Sequence, residues 1–176
     1  MGGSAAQFFT NALDTRTTGL DVVLGWARQL GDHTLRASLA GNFNDMELGA
    51  VHTSPELRGK EDIYFGRREQ AFLIASAPQS KITLAADHGW DRLNTSLRVT
   101  RYGEVTLVDW IDEEDVYDPA FAVDASLSYR LNRGTSLTLG GSNLFNAEKE
   151  FIQGGALQRR YEPGRKVSLS LSYSPF

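Results

Sequence analysis

Three observations predict an all-β, antiparallel up-and-down fold for this chain: period-2 alternation in seven separate runs, tight turns that alternate with long loops, and almost no window with helical spacing. The last run, RKVSLSLSYSPF (165–176), shows the repeat plainly. Val167, Leu169, Leu171 and Tyr173 fall on one parity, and Lys166, Ser168, Ser170 and Ser172 on the other.

The first run, GLDVVLGWARQL (19–30), is joined by Gly31 and Asp32 to HTLRASLAGNF (33–43). A loop over 44–79 leads to SKITLAADHGW (80–90), which turns at WDR (90–92) into RLNTSLRVTRYGEV (92–105). A second long loop (106–119) precedes AFAVDASLSYRL (120–131), NRGT (132–135) turns it into TSLTLGGSNLF (135–145), and 146–164 leads to the final run. The short connections carry the Gly, Asp and Asn of hairpin turns. In up-and-down order every short turn lies at one end and every long loop at the other, the sorting found in transmembrane β-barrels. There is no internal repeat, no low-complexity tract and no domain boundary within 1–176.

Composition narrows the function classes. With 41% hydrophobic and 23% charged residues the chain is not disordered throughout. A net charge of −4 and a pI near 5.4 exclude the basic face of a general nucleic-acid binder. There is no cysteine, hence no disulfide framework, thiolate metal site or thiol nucleophile. The opening MGGSAAQ lacks the basic and apolar regions of a signal peptide. No apolar run approaches the ~20 residues a membrane-spanning helix needs, which excludes helical spanning alone.

Which face is wet decides between two architectures. In 120–131 one parity holds Phe121, Val123, Ala125, Leu127, Tyr129 and Leu131, and the other Ala122, Asp124, Ser126, Ser128 and Arg130. Such alternation suits a soluble sheet with one face on a core, and equally a barrel with lipid outside and water inside. The aromatics favour the barrel. Trp26, Trp90, Tyr129 and Tyr173 lie near short turns or the C-terminus, and Tyr64, Tyr102, Trp110 and Tyr117 near the long loops, as two interfacial bands would. Runs of ~10 residues at ~3.3 Å each, tilted by ~45°, cover about 24 Å of bilayer. The expectation is therefore an antiparallel up-and-down transmembrane β-barrel segment, about seven strands of a larger barrel. The competing reading is a soluble β-sandwich or small β-barrel module that binds an apolar ligand.

Particular residues add a family resemblance. LTLGGSNLFNAE (137–148), EPGR (162–165) and a final strand ending on Phe176 resemble the C-terminal end of TonB-dependent outer-membrane receptors. The residues that carry the likeness are Asn143, Leu144, Phe145, Asn146, Pro163, Gly164, Arg165 and Phe176. NALDTRTTGLDVVL (11–24), RREQAFLIASAPQSKITLAAD (67–87) and RYGEV (101–105) are similar to earlier segments of the same barrels, so the likeness covers essentially the whole chain. Asp21 stands where the family often has Glu, and Pro175 removes a ladder donor beside the terminal Phe.

The resemblance implies a bacterial outer-membrane location and a barrel of 22 strands around an N-terminal plug. It also implies uptake energised by TonB, most often of a ferric siderophore. On that basis 1–176 is the C-terminal portion of the barrel, with the plug domain absent. Its partners are outer-membrane lipid, the remaining strands and plug of the parent receptor, TonB through that plug, and a small-molecule ligand. Unpaired edge groups in hydrocarbon cost several kcal/mol each, so seven strands should not stand alone unless residues 4–12 or the 44–79 loop supply an eighth.

Arg67, Arg68 and Glu69, on the far side of the longest loop, are the candidate ligand-binding residues, since paired guanidinium groups suit carboxylate-rich or phosphate-bearing ligands. Arg36, Arg98 and Arg130 occupy the polar parity, where plug carboxylates would meet them. The pairs Asp32–His33 and Asp87–His88 sit in or next to short turns and face the same end of the barrel, where two imidazoles with carboxylates could bind a divalent metal; against this, strand neighbours point to opposite faces and turn chemistry explains the aspartates. DWIDEEDVYD (109–118) lacks the glycine and spacing of a calcium loop and reads as a solvated loop. No GxSxG, HExxH, P-loop or Rossmann pattern is present. The expectation is a non-enzyme with no catalytic residues, no metal and no cofactor.

Overall fold

A computed structural model describes residues 13–53, 58–74, 78–109, 111–147 and 164–174. Strands β1 (Leu13–Leu30) and β2 (His33–Val51) form a long hairpin. Two short helices follow, α1 (Glu61–Tyr64) and α2 (Arg67–Ile74). Then come β3 (Ser80–Trp90) and β4 (Leu93–Tyr102), a small hairpin of β5 (Val105–Val108) and β6 (Glu114–Tyr117), and finally β7 (Ala120–Arg130), β8 (Thr135–Ser142) and β9 (Lys166–Tyr173). Seven strands make one antiparallel sheet in the order β1-β2-β3-β4-β7-β8-β9, each beside its neighbour in the chain, while β5 and β6 pair apart from it.

The turns form where backbone strain is cheapest. Gly31 takes φ 58°, free of a Cβ penalty, and Asp91 takes φ 48°, a conformation that Asp tolerates better than most residues. Between β7 and β8 the Asn132 side chain accepts the Gly134 N–H at 2.9 Å and stands in for a backbone turn bond.

Register sorts the two parities as the alternation predicts. On one face Leu24 is opposite Leu39, Leu39 opposite Leu84, Leu84 opposite Val99 and Val99 opposite Val123. The row continues on the far side of the sheet as Leu127, Leu139 and Leu169. Nothing in the described chain covers this face: Leu24 is 59% exposed, Leu84 51% and Leu169 69%. A soluble sandwich would have to bury these side chains to gain about 1.5–3 kcal/mol each. The buried apolar side chains among the described residues are instead Val105, Leu107 and Val108, all in the small hairpin.

Several boundaries differ from the sequence pattern for physical reasons. β1 begins at Leu13 rather than 19, and β2 runs to Val51 rather than 43. Along the added segments the parity that carries Leu39 and Phe43 turns polar, with Thr18 opposite Asp45 and Arg16 opposite Glu47, while Met46 and Leu48 fall on the other parity, so the signal of the apolar band stops at 43 and the hairpin extends beyond it. β8 stops at Ser142 because Asn143 turns to φ 49°. The described part of 44–79 contains helices rather than an eighth sheet strand. The long-loop aromatic band is also redistributed. Tyr102 falls on the polar parity, with the Lys81 ammonium 5.5 Å from its ring centre, while Tyr64 lies in α1 and Tyr117 in β6. Phe43 and Phe121 take the outward positions there instead. Residues 4–12, Trp110, Pro163, Pro175 and Phe176 lie outside the described residues.

Candidate functional site

On the long-loop side, two connections fold as one unit. Val105, Leu107 and Val108 are buried, and α2 packs against β5. Asp109 shapes the tip of the hairpin by accepting the Ile111 and Glu113 N–H groups at 2.8 and 3.0 Å. That turn holds Asp112 at φ 65° and brings its carboxylate 3.7 Å from the Arg67 guanidinium, which also donates to the Asp112 carbonyl at 3.3 Å. Arg67 pairs with the Glu114 carboxylate as well. Thus the first candidate ligand residue ties the loop after β2 to the loop after β4.

The Arg68 guanidinium carbon lies 5.1 Å from the Phe72 ring centre, and its Nη1 lies 3.6 Å from the Glu69 carboxylate. Arg67, Arg68 and Glu69 open α2. The acidic stretch supplies it with counter-charge: Asp112 and Glu114 meet Arg67 instead of standing alone. No group of three or more metal-ligating side chains occurs among the described residues. Below this unit Glu61 accepts from Gly59 N–H at 3.0 Å and from the Thr53 hydroxyl at 2.8 Å. Backbone hydrogen bonds from Glu61 itself and from Gly59, then the Thr53 bond, hold its carboxyl below the ordinary carboxylate range.

The polar face of the sheet is a wall of hydroxyls, amides and opposed charges. Asn42 donates to Asp21 at 2.6 Å, and the Thr138 hydroxyl donates to Ser128 at 2.9 Å. Arg36 lies directly opposite Asp87, and Arg98 directly opposite Asp124. Arg130 instead turns to the rim and donates to the Asp91 carbonyl at 3.1 Å. A groove of about 600 Å³ runs over this face near the short turns, lined by Asp32, Arg36, Asp87 and Asn94 among others. Its chemistry is that of a hydrated wall, not of an apolar ligand cavity.

The third constellation explains the NLFN and PGR segments. Asn143 takes the left-handed φ, its N–H donates to the Asp124 carboxylate at 2.9 Å, and Leu144 N–H donates to the Val123 carbonyl at 2.8 Å. The Asn143 amide then closes on Ala147 twice, accepting its N–H at 2.8 Å and donating to its carbonyl at 3.1 Å. Asn146 accepts the Arg165 N–H at 3.1 Å, and a side chain on Gly164 would meet that same amide oxygen at 3.0 Å. Leu144 lies over Gly141, where an added Cβ would push a Leu144 methyl aside. Phe145 is 76% exposed.

A seven-stranded antiparallel meander with a bare aliphatic face, a polar opposite face and elaborated loops at one end is the wall of a membrane barrel in outline. The model of the family described as TonB dependent receptor-like, beta-barrel, matches residues 1–144. The chain belongs to the TonB-dependent receptor family. Comparison with curated proteins and with solved structures found no match. The family is one of outer-membrane receptors and transporters in Gram-negative bacteria rather than of enzymes, and TonB-dependent transport with a plug domain is its general activity. Asn143 and Leu144 fall at the end of the matched span of the receptor barrel, and the rest of the clasp lies beyond it.

Sequence reasoning missed two features of this receptor segment. One is the partner of Arg67, because nothing in a pattern counts residues across loops. The other is a meeting of His33 and His88 on the aliphatic face, with Nδ1 and Nε2 3.0 Å apart. The available signal was their shared parity, but the β2–β3 register that joins them is set beyond the 44–79 connection.

Proposed function

We propose that this chain is part of the wall of a TonB-energised outer-membrane receptor whose transported ligand is a ferric siderophore. In this reading the aliphatic face touches acyl chains, the polar face borders the aqueous lumen and the plug, and the α2 and β5–β6 unit stands among the extracellular loops. Arg67, Arg68 and Glu69 contribute there to recognition of an anionic, oxygen-rich ligand, with Asp112 and Glu114 as the counter-charges that ligand oxygens would replace.

The single observation that carries the proposal is the aliphatic face, continuous across seven paired strands and uncovered by any of the described residues. Strand parity adds to it. In a seven-stranded antiparallel sheet β1 and β9 run in the same direction, so pairing them with each other would be parallel, whereas barrels of this kind are antiparallel throughout. An odd number of further strands is needed between them, which agrees with the remaining barrel strands of a parent receptor.

The test is uptake of radiolabelled ferric siderophores by cells that carry the parent receptor, with and without TonB, alongside membrane fractionation. TonB-dependent uptake that falls on replacing Arg67 and Arg68 together is the expected result. Recovery of the receptor in the soluble fraction, or siderophore uptake indifferent to TonB, would overturn the proposal.

A further inference from the structure

The chain has three histidines, and two of them meet. His33 opens β2, opposite Trp90, and His88 lies on β3, opposite Leu35. The two positions are diagonal neighbours on the aliphatic face at the short-turn end, and the backbone ladder on both sides fixes their spacing. Their rings are within 9° of parallel with centres 5.3 Å apart, and the Trp90 ring lies 5.5 Å from His33 at 11°. The centre separation exceeds the nitrogen separation by roughly two ring radii, so the imidazoles meet end-on, with one proton shared in an N–H···N bond. Their aspartate neighbours take no part: Asp87 is opposite Arg36 on the polar face.

We infer that His33 and His88 form a two-histidine chelate for a divalent, tetragonally coordinating cation, copper(II) foremost. Two imidazole nitrogens 3.0 Å apart are close enough for each to bond one ion at about 2.0 Å once the rings have turned. Imidazole suits copper, and copper(II) heads the affinity order for nitrogen sites of divalent first-row metals. Binding breaks the N–H···N bond: the donor ring carries its proton on its other nitrogen instead, so both imidazoles stay neutral, and each ring turns about its Cβ–Cγ bond so that its lone pair addresses the ion. Water completes the coordination: of the facing neighbours Leu30, Leu35, Trp90 and Thr95, only Thr95 carries an oxygen, and its hydroxyl donates to the His88 carbonyl at 3.5 Å. The site faces outward beside Trp90, apart from the loops assigned to siderophore recognition.

The probe is copper(II) itself, titrated into the full chain in detergent micelles and followed by quenching of tryptophan fluorescence and by electron paramagnetic resonance. His33→Gln and His88→Gln each remove one ligand while keeping side-chain volume and polarity, and His52→Gln serves as the control. The expected result is a signal of two equivalent nitrogens, lost in either variant together with a roughly tenfold or greater fall in affinity, since a chelate binds its second donor intramolecularly. His52→Gln should change neither. Equal copper affinity in the wild type and both variants, a single-nitrogen spectrum, or a preference for zinc over copper would each overturn the inference.

Discussion

Asn146 accepts the Arg165 backbone N–H at 3.1 Å, so the NLFN segment that follows β8 positions Arg165 just ahead of β9. Two motifs 19 residues apart in sequence are therefore two halves of one clasp. Asn143 is the other anchor, tied to Asp124 on β7 and to Ala147 within its own turn.

Both asparagines adopt positive φ, and substitution separates backbone conformation from hydrogen bonding. Asn143→Gly keeps the left-handed turn and removes the side-chain bonds, and should cost about 1–3 kcal/mol. Asn143→Ala should cost more, because it adds the strain of a Cβ at φ 49°. Asn146→Ala should lose about 1 kcal/mol for one bond plus a similar strain. Urea midpoints of the chain in detergent check the order. Equal loss in Asn143→Gly and Asn143→Ala would show that strain at this turn is negligible.

The Arg67 link to Glu114 and Asp112 joins two loops through exposed groups, each half or more open to solvent. Its energy is correspondingly small. A double-mutant cycle between Arg67→Ala and Glu114→Ala should return about 0.2–1 kcal/mol, weaker at high salt. The structural consequence is larger than that figure suggests, since the pair aligns two connections. Either single variant should speed proteolysis in both 58–74 and 103–119. Cleavage that rises in only one of them would show that the loops are ordered independently.

Leu107 tests the apolar contact beneath that pair. It is 7% exposed, and Leu107→Ala should destabilise the loop unit by about 2–5 kcal/mol through lost burial and a residual cavity. α2 also touches β2, but the buried apolar side chains belong to β5, so amide exchange should accelerate most in α2, β5 and β6 while β3 and β7 keep their protection. Uniform acceleration across all strands would mean that loops and wall unfold as one cooperative body.

The sequence made the wall legible and the loops opaque. Seven amphipathic runs and three tight turns follow from nearest-neighbour chemistry, so strand count, order and facing could be counted directly. In the extension of the first hairpin the apolar parity switches, Met46 and Leu48 lying on the side opposite to Phe43, and its pairing of Arg16 with Glu47 and Thr18 with Asp45 emerges only from register. α2 and β5 are short elements stabilised by each other rather than by periodicity. The meetings of Arg67 with Glu114 and of His33 with His88 span 47 and 55 residues. Such contacts depend on loop conformation and inter-strand register, which local patterns do not specify.

Glu61 gives the long loop a pH signature. Its carboxyl is held below the ordinary range by backbone hydrogen bonds from Glu61 and Gly59 and by the Thr53 hydroxyl, opposed by desolvation. A depressed folded-state value means that the stabilisation is complete above the unfolded carboxylate range and is lost as pH falls through the folded value. Amide exchange at Gly59 and Ile63, corrected for its intrinsic pH dependence, should therefore show no loosening at neutral pH and a progressive loosening on acidification below that range. Glu61→Gln should remove the pH dependence, and persistence of the same profile in that variant would assign it to another group.

The decisive physical test concerns the side of the sheet that meets lipid. Trp26 and Trp90 are 52% and 50% exposed on the aliphatic parity, and a membrane wall would place both against acyl chains or the interface. In vesicles with brominated acyl chains, Trp110→Phe leaves these two as the sole tryptophans, and their emission should be strongly quenched while aqueous iodide has little effect. A tryptophan placed on the polar face by Ser96→Trp, with Trp26, Trp90 and Trp110 changed to Phe, should behave oppositely, open to iodide and indifferent to bromolipid. If Trp26 and Trp90 respond to iodide and ignore the brominated chains, the aliphatic face is not the lipid face, and the barrel-wall orientation fails with it.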